Sequence, residues 1–264
     1  MHTLTCRHFR QTLLFVGLVV PLISWGQSSS PMSAATQGDA PAPEAAHDHP
    51  HDHNDDPLLT QVIVDHLEWR DTANGSSQGL SAEAWVGKDI NKLWLKTHLQ
   101  QSDGAIEDAE VQALFSHAIA PYWDLQTGLR QDTKPSPSRT WGVLGVKGLA
   151  PHFFDVDAAL FIGDSGQAAA RVSAEYDMLV TQRLILSPGI EINFYTQDDA
   201  ATGTGSGLSS SEMGLRLRYE ICREFAPYLG VNWHKTYGQT ARFAREEGEV
   251  ENETVWVAGM RFWF

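Results

Sequence analysis

The sequence predicts an all-β protein: a transmembrane antiparallel β-barrel of about twelve strands, with a disordered N-terminal tail. Three observations predict it. Apolar and polar residues alternate in short segments from residue 61 onward. The connections between those segments alternate long and short. The final segment is a bare aromatic strand ending on Phe264.

The chain opens with a leader. Arg7 and Arg10 form a basic n-region, and residues 13–24 are an apolar h-region. Ser24 and Gly26 put small residues at the two positions a signal peptidase reads, so residues 1–26 are expected to be a signal peptide. The run is too short for a stable transmembrane helix.

Residues 27–57 are rich in Ser, Pro, Ala, His and Asp and nearly lack large apolar side chains. Such a segment cannot bury enough surface to offset its ordering entropy, so a disordered tail is expected. Within it His47, His49, His51 and His53 alternate with Asp48, Pro50 and Asp52. Neutral imidazole is the commonest protein ligand for Cu(II), Zn(II) and Ni(II). Alternate spacing on a mobile backbone lets several rings, with the Asp48 and Asp52 carboxylates, converge on one ion. The plainer account is a solvated tract with incidental metal affinity. For an open nitrogen and oxygen site, the Irving–Williams order favours Cu(II).

The barrel is expected over residues 58–264. Strands read near 61–70, 81–88, 92–101, 105–117, 122–132, 139–149, 153–163, 168–179, 183–196, 209–220, 226–237 and 254–264. In the eighth, Arg171, Ser173, Glu175 and Asp177 form one face against Val172, Ala174, Tyr176 and Met178. A charge on the lipid face costs about 2–4 kcal/mol at mid-membrane, so the charged faces point inward. In the last strand Trp256, Ala258, Met260, Phe262 and Phe264 share one face and Arg261 takes the other. An unpaired strand of this kind invites aggregation, whereas a closing barrel pairs it with the first strand. Short periplasmic turns and longer outer loops fit the connection rhythm, and an even strand count puts both barrel ends in the periplasm. Trp69, Trp94, Tyr195, Tyr228 and Trp256 are among aromatics near strand ends, where interfacial girdles sit.

The formal net charge is −14, and removal of the leader takes two arginines and no acid. This excludes a basic nucleic-acid footprint and favours cations as partners. Glu68, Arg70, Lys96, Glu110, Arg130, Arg171, Arg183, Arg216, Arg218, Glu220 and Arg261 are among the charges expected inside. A small barrel must satisfy its interior polar groups, so most of these charges are expected to hold the structure together rather than to line a wide water channel. His66, His98 and His234 fall on polar faces of the first, third and eleventh strands. Either they share a metal, or each bonds to a lumenal carboxylate. Met178, Met213 and Met260 fall on lipid-facing positions.

Several stretches carry a family resemblance. They are Asp65-His66-Leu67-Glu68-Trp69-Arg70, Ala84-Trp85-Val86-Gly87, Asn91-Lys92-Leu93-Trp94-Leu95-Lys96, the run from Ala120 to Arg130, and the closing Ala258-Gly259-Met260-Arg261-Phe262-Trp263-Phe264. Over residues 58–264 the chain resembles the copper resistance protein B family. The resemblance implies an outer-membrane protein of copper tolerance with a metal-binding periplasmic extension. Tails of that family are often rich in Met and His. This one has only Met32, which favours Cu(II) over Cu(I).

The expected function is a copper-binding barrel in the cell outer membrane, with its tail in the periplasm. It would lower periplasmic copper by sequestration or export. Copper ion, outer-membrane lipid and periplasmic copper-handling proteins are the expected partners, and no enzymatic role is expected. One alternative is a general small-solute porin with no metal role. The other is an outer-membrane lipid hydrolase, for which Ser116 and His117 are sequence neighbours but face opposite ways on a strand.

Overall fold

The computed structural model describes residues 57–72, 75–102, 104–164 and 166–264. The leader and the tail residues His47, Asp48, His49, His51, Asp52 and His53 lie outside the described residues.

The strands in chain order are β1 Leu59–Thr72, β2 Gly75–Gly87, β3 Asn91–Ser102, β4 Ala105–Ala120, β5 Trp123–Lys134, β6 Arg139–Ala150, β7 Phe154–Gly163, β8 Ala168–Glu175, β9 Met178–Leu179, β10 Leu184–Tyr195, β11 Gly207–Tyr219, β12 Phe225–Thr236 and β13 Asn252–Trp263. The two residues of β9 continue the line of β8 beside β10, so the thirteen segments make a barrel of twelve staves. Every pairing is antiparallel. β13 pairs with β1, setting Ile63 opposite Trp263 and closing the wall. Phe264 and Val62 exchange backbone hydrogen bonds of 2.9 and 3.0 Å, so the terminal residue is part of the seam.

The strands follow the expected pattern closely, with two departures. Residues 75–80 form strand rather than loop. Their Gly and Ser composition suggests a turn, but Ser77 packs inward and Gly79 leaves room for the Arg70 side chain. Part of the connection after β12 forms a helix, α1 Gly238–Glu247. Its Ala241 and Ala244 are buried, Arg242 pairs with Glu246 one turn on, and Gly248 ends it in the left-handed conformation.

The barrel is inverted relative to a water-soluble fold. Leu93, Leu95, Leu129, Leu229 and Trp256 are more than half exposed on the outside, while Glu68, Glu110, Gln126 and Arg130 are buried within. A continuous apolar outer band would be unfavourable in water but matches lipid, where every backbone group must be paired inside the wall. Met178, Met213 and Met260 point outward, as expected. Trp94, Tyr195 and Tyr228 line the lumen instead of a lipid girdle, because each shares its strand's inward face with polar residues such as Lys96, Asn193 and His234. Arg183 and Glu220 are not in the lumen lining; they sit at the turn end of the wall, where the pleat no longer directs them inward.

The interior has two unlike walls. On one side Leu114, Trp141, Val143, Phe161 and Ala169 form an apolar cluster. Arg130 and Arg171 cap it, with guanidinium carbons 4.6 and 5.7 Å from the Phe161 ring centre. The other side is polar, and a cavity of about 1000 Å³ runs through the interior.

Candidate functional site

The first strand changes face partway along. A β-bulge near residue 65 shifts the register between Val64 and His66. Before it the inward residues are Gln61 and Ile63; after it they are Glu68 and Arg70. The bulge puts two consecutive residues, Asp65 and His66, on the lumen side.

Glu68 is the centre of the polar wall, with no solvent exposure of its side chain. Arg216 Nε donates to its Oε1 at 2.7 Å, Arg70 Nε to its Oε2 at 3.0 Å, and the Tyr228 hydroxyl to Oε1 at 2.9 Å. His66 Nδ1 lies 3.3 Å from the Tyr228 oxygen, and the two rings meet edge to face at 6.1 Å. With the tyrosine proton committed to Glu68, the contact assigns a hydrogen to His66 Nδ1 and leaves the lone pair on Nε2.

Further ion pairs cross the lumen. Lys147 on β6 donates to Glu83 on β2 at 2.7 Å. Lys96 on β3 donates to Asp157 on β7 at 2.6 Å, and Arg171 on β8 to Glu110 on β4 at 3.0 Å. Each pair joins strands four apart around the wall, so these are struts rather than neighbour contacts. Arg130 also bonds Glu110 and Asp132, Arg218 bonds Asp177, and Arg261 pairs with Asp65. The expectation that interior charges hold the structure together is met at these positions.

The histidines are distributed along the lumen. His66 pairs in register with Ser81, and Ser81 with His98, so two of them share a rung with one strand between. His234 lies well away. The His66 rung meets β12 near Pro227, since Leu67 faces Met260 and Met260 faces Pro227. His234 is seven residues beyond Pro227, about 23 Å along a strand. One ion with bonds of about 2 Å cannot join it to the other two. Among the described residues, no three His, Cys, Asp or Glu side chains converge as metal ligands would. His234 instead faces Glu212 and Glu253 in register.

Sequence reasoning missed Asp65 and Tyr228 as members of the polar wall. A signal for Asp65 was present: the inward residues shift from Gln61 and Ile63 to Glu68 and Arg70, a change of parity that a bulge explains. Tyr228 carried no such signal, because its partner is 160 residues away.

At the end of the barrel away from the start of β1 and the end of β13, residues 196–206 fold against α1. Thr240 Oγ1 accepts from the Gly205 amide at 2.8 Å and lies 2.9 Å from Ser209 Oγ. Asp199 accepts from Arg139 Nη2 at 2.7 Å and Nε at 3.2 Å. Partial burial works against the Asp199 charge, but the hydrogen bond from Arg139 and its positive charge outweigh that and hold the carboxyl below its usual range. Elsewhere, Ser116 is fully buried and donates to Asp124, while His117 bonds Asn91. This neighbouring Ser and His do not form a nucleophile–base pair.

Comparison with known proteins agrees with this architecture. The family model described as copper resistance protein B precursor matches residues 58–264. Copper resistance protein B of Escherichia coli is 47% identical over 203 residues, covering 77% of this chain and 69% of that protein. A copper resistance protein B homolog of Pseudomonas syringae pv. tomato is 45% identical over 238 residues, covering 90% of this chain and 81% of the relative. Among solved structures, the NanC porin superposes with a TM-score of 0.51 at 11% identity, covering 77% of this chain and 99% of its own. The KdgM porin gives 0.50 at 12% identity with the same coverage. At such identity these two show the fold alone, an outer-membrane barrel. With the family model spanning the whole barrel and relatives at 45–47% identity, the chain belongs to the copper resistance protein B family.

Proposed function

We propose that the protein binds copper through its N-terminal tail on the periplasmic side of the outer membrane, and so lowers the copper free in that compartment. The observation that carries this reading is the family: both relatives are named for copper resistance. The tail supplies the chemistry, with His47, His49, His51 and His53 as nitrogen ligands and Asp48 and Asp52 as oxygen ligands, a set that favours Cu(II). The barrel anchors that site in the membrane.

Holding the ion is favoured over free passage, because the struts Glu83–Lys147, Lys96–Asp157 and Glu110–Arg171 cross the lumen. Export would need these pairs to part or a periplasmic copper-handling protein to drive it. His66 and His98 are the lumenal candidates for a second, weaker site, and His234 would act separately. The role is one of binding, with no bond made or broken.

Isothermal titration of the mature protein, with and without residues 27–56, against Cu(II), Cu(I) and Zn(II) tests the reading. The tightest Cu(II) binding should disappear with the tail. Full-affinity Cu(II) binding by the tail-less barrel would overturn the tail as the site.

A further inference from the structure

The geometry points to a latched lid: residues 196–206, seated on α1, close the mouth of the lumen away from the start of β1 and the end of β13, and the Arg139–Asp199 pair holds them shut. The inference does not depend on which solute uses the lumen.

Three observations build it. First, the segment reaches across the opening rather than out into solvent. It leaves the wall between β10 and β11, yet Asp199 bonds Arg139 at the start of β6. Between β6 and β10 stand β7 and β8, so the chain spans three strand intervals, about 14 Å of wall. Gln197, Asp199, Thr202 and Thr204 line the cavity from above.

Second, the segment is built as one piece. Asp199 and Thr204 exchange backbone hydrogen bonds of 2.8 and 3.1 Å, and the Ser206 amide donates to Asp198 Oδ1 at 2.6 Å. Gly205 packs so closely on α1 that an added Cβ would lie 2.4 Å from the Thr240 amide nitrogen. One edge of the segment is thereby seated on α1.

Third, the attachments on the two sides are unequal. On the α1 side the lid is held by the Gly205–Thr240 hydrogen bond and by the close seating of Gly205 on Gln239 and Thr240. On the β6 side the Thr196 hydroxyl ties the root of the segment to Ala168 on β8, and beyond that root the side-chain attachment is the Arg139–Asp199 pair. Breaking that pair frees one edge and leaves the other as a hinge. Gly207, at a φ of 87°, stands where the segment joins β11 and takes a backbone conformation that other residues adopt at a cost.

The test places a reporter just under the lid. Ser210 lines the cavity at the start of β11, and Ser210→Cys is a small change there. Labelling by a bulky, charged thiol reagent is followed at that position by mass spectrometry, on the purified full chain in detergent. Entry from the other mouth must pass the struts and adds the same background in every sample. Arg139→Ala and Asp199→Asn should each speed labelling about tenfold, the factor set by losing one charge-assisted hydrogen bond. The reversed pair, Arg139→Asp with Asp199→Arg, should return labelling toward the parent rate. Arg139 is the first residue of β6 at the rim of the wall and Asp199 lies outside the wall strands, and unchanged heat resistance on a gel confirms that both single variants fold. An unchanged labelling rate in the folded Arg139→Ala protein, or a reversed pair that labels as fast as the single variants, would overturn the lid.

Discussion

Tyr228 and Glu68 bond to each other over a glycine. Gly259 on β13 is the register partner of both, of Glu68 on one side and Tyr228 on the other. The two side chains meet above it at 2.9 Å. A Cβ at that position would lie 2.7 Å from the Tyr228 hydroxyl, so the seam contact depends on the missing side chain.

Gly259→Val should therefore destabilise the barrel by about 3 kcal/mol, the scale of breaking a buried charged network by displacing one member. Gly259→Ala should cost less than Val because it adds less bulk, but it should still destabilise, since its Cβ would also lie 2.7 Å from the Leu67 backbone oxygen. Glu68→Gln should also destabilise, by leaving Arg70 and Arg216 without a counter-charge. The measurement is urea unfolding followed by the folded-to-unfolded gel shift. A Val variant as resistant as the parent would show that the seam does not rely on this contact.

Replacing His47, His49, His51 and His53 with Ala should remove the tightest Cu(II) site and leave the barrel's heat resistance unchanged. Cu(II) binding by the parent should weaken as pH falls through the imidazole range near 6.5, because protons compete for the ligand nitrogen. Retention of the tight site in the quadruple variant, by titration, would move copper binding elsewhere.

Single substitutions of the lumenal histidines should differ. His66→Ala removes a ring packed on Tyr228 and should lower heat resistance. His66→Ala and His98→Ala should behave alike in copper titration of the tail-deleted protein if their shared rung holds an ion. His234→Ala should not follow them, given its distance along the wall. Equal loss of copper from all three variants would contradict the register.

The latch has a defined pH response. The Asp199 carboxyl is held below its ordinary range by Arg139, so its folded value lies under the unfolded one. Such a group stabilises the closed form fully above the unfolded value, near 4, and the contribution fades as pH falls toward the depressed folded value. Lumen conductance in planar bilayers should stay flat from pH 7 to about 5 and rise only in stronger acid. Asp199→Asn should lose that acid step. A step between pH 5 and 7 would assign the response to a histidine instead.

Topology is tested on cells. A cysteine within 238–253 should react with an impermeant reagent added outside, and one within 27–56 should not. The reverse pattern would invert the barrel.

Much of the fold was legible because a barrel wall repeats one rule. Leu93 and Leu95 face out where Lys92 and Lys96 do not, and the same period marks each strand. The rule failed where composition and geometry disagree. Gly75 to Leu80 suggested a turn, yet a strand needs small residues wherever an arginine such as Arg70 lies over it. The helix at Gly238–Glu247 was hidden in a polar connection, although Ala241, Ala244 and Gly248 carried its spacing and its stop. The site was less legible than the fold. Alternation shows which face Glu68, Glu83 and Lys147 occupy, but their pairing depends on how the sheet curves back on itself. Glu68 and Arg216 are 148 residues apart, and no local pattern connects them.

The seam between β1 and β13 also governs how the molecule can be made. Ile63 waits for Trp263, a partner two hundred positions later, so the first strand has one open edge for almost the whole of synthesis. Hairpins can zip as they emerge, but each added hairpin extends an unclosed ribbon whose two free edges attract any other strand. A chain truncated before residue 252 would not settle as a smaller ring, because the remaining rims were never matched to each other. It would persist as an adhesive sheet. Closure therefore waits on β13, and until Asn252–Trp263 is in place both edges of the ribbon stay unpaired.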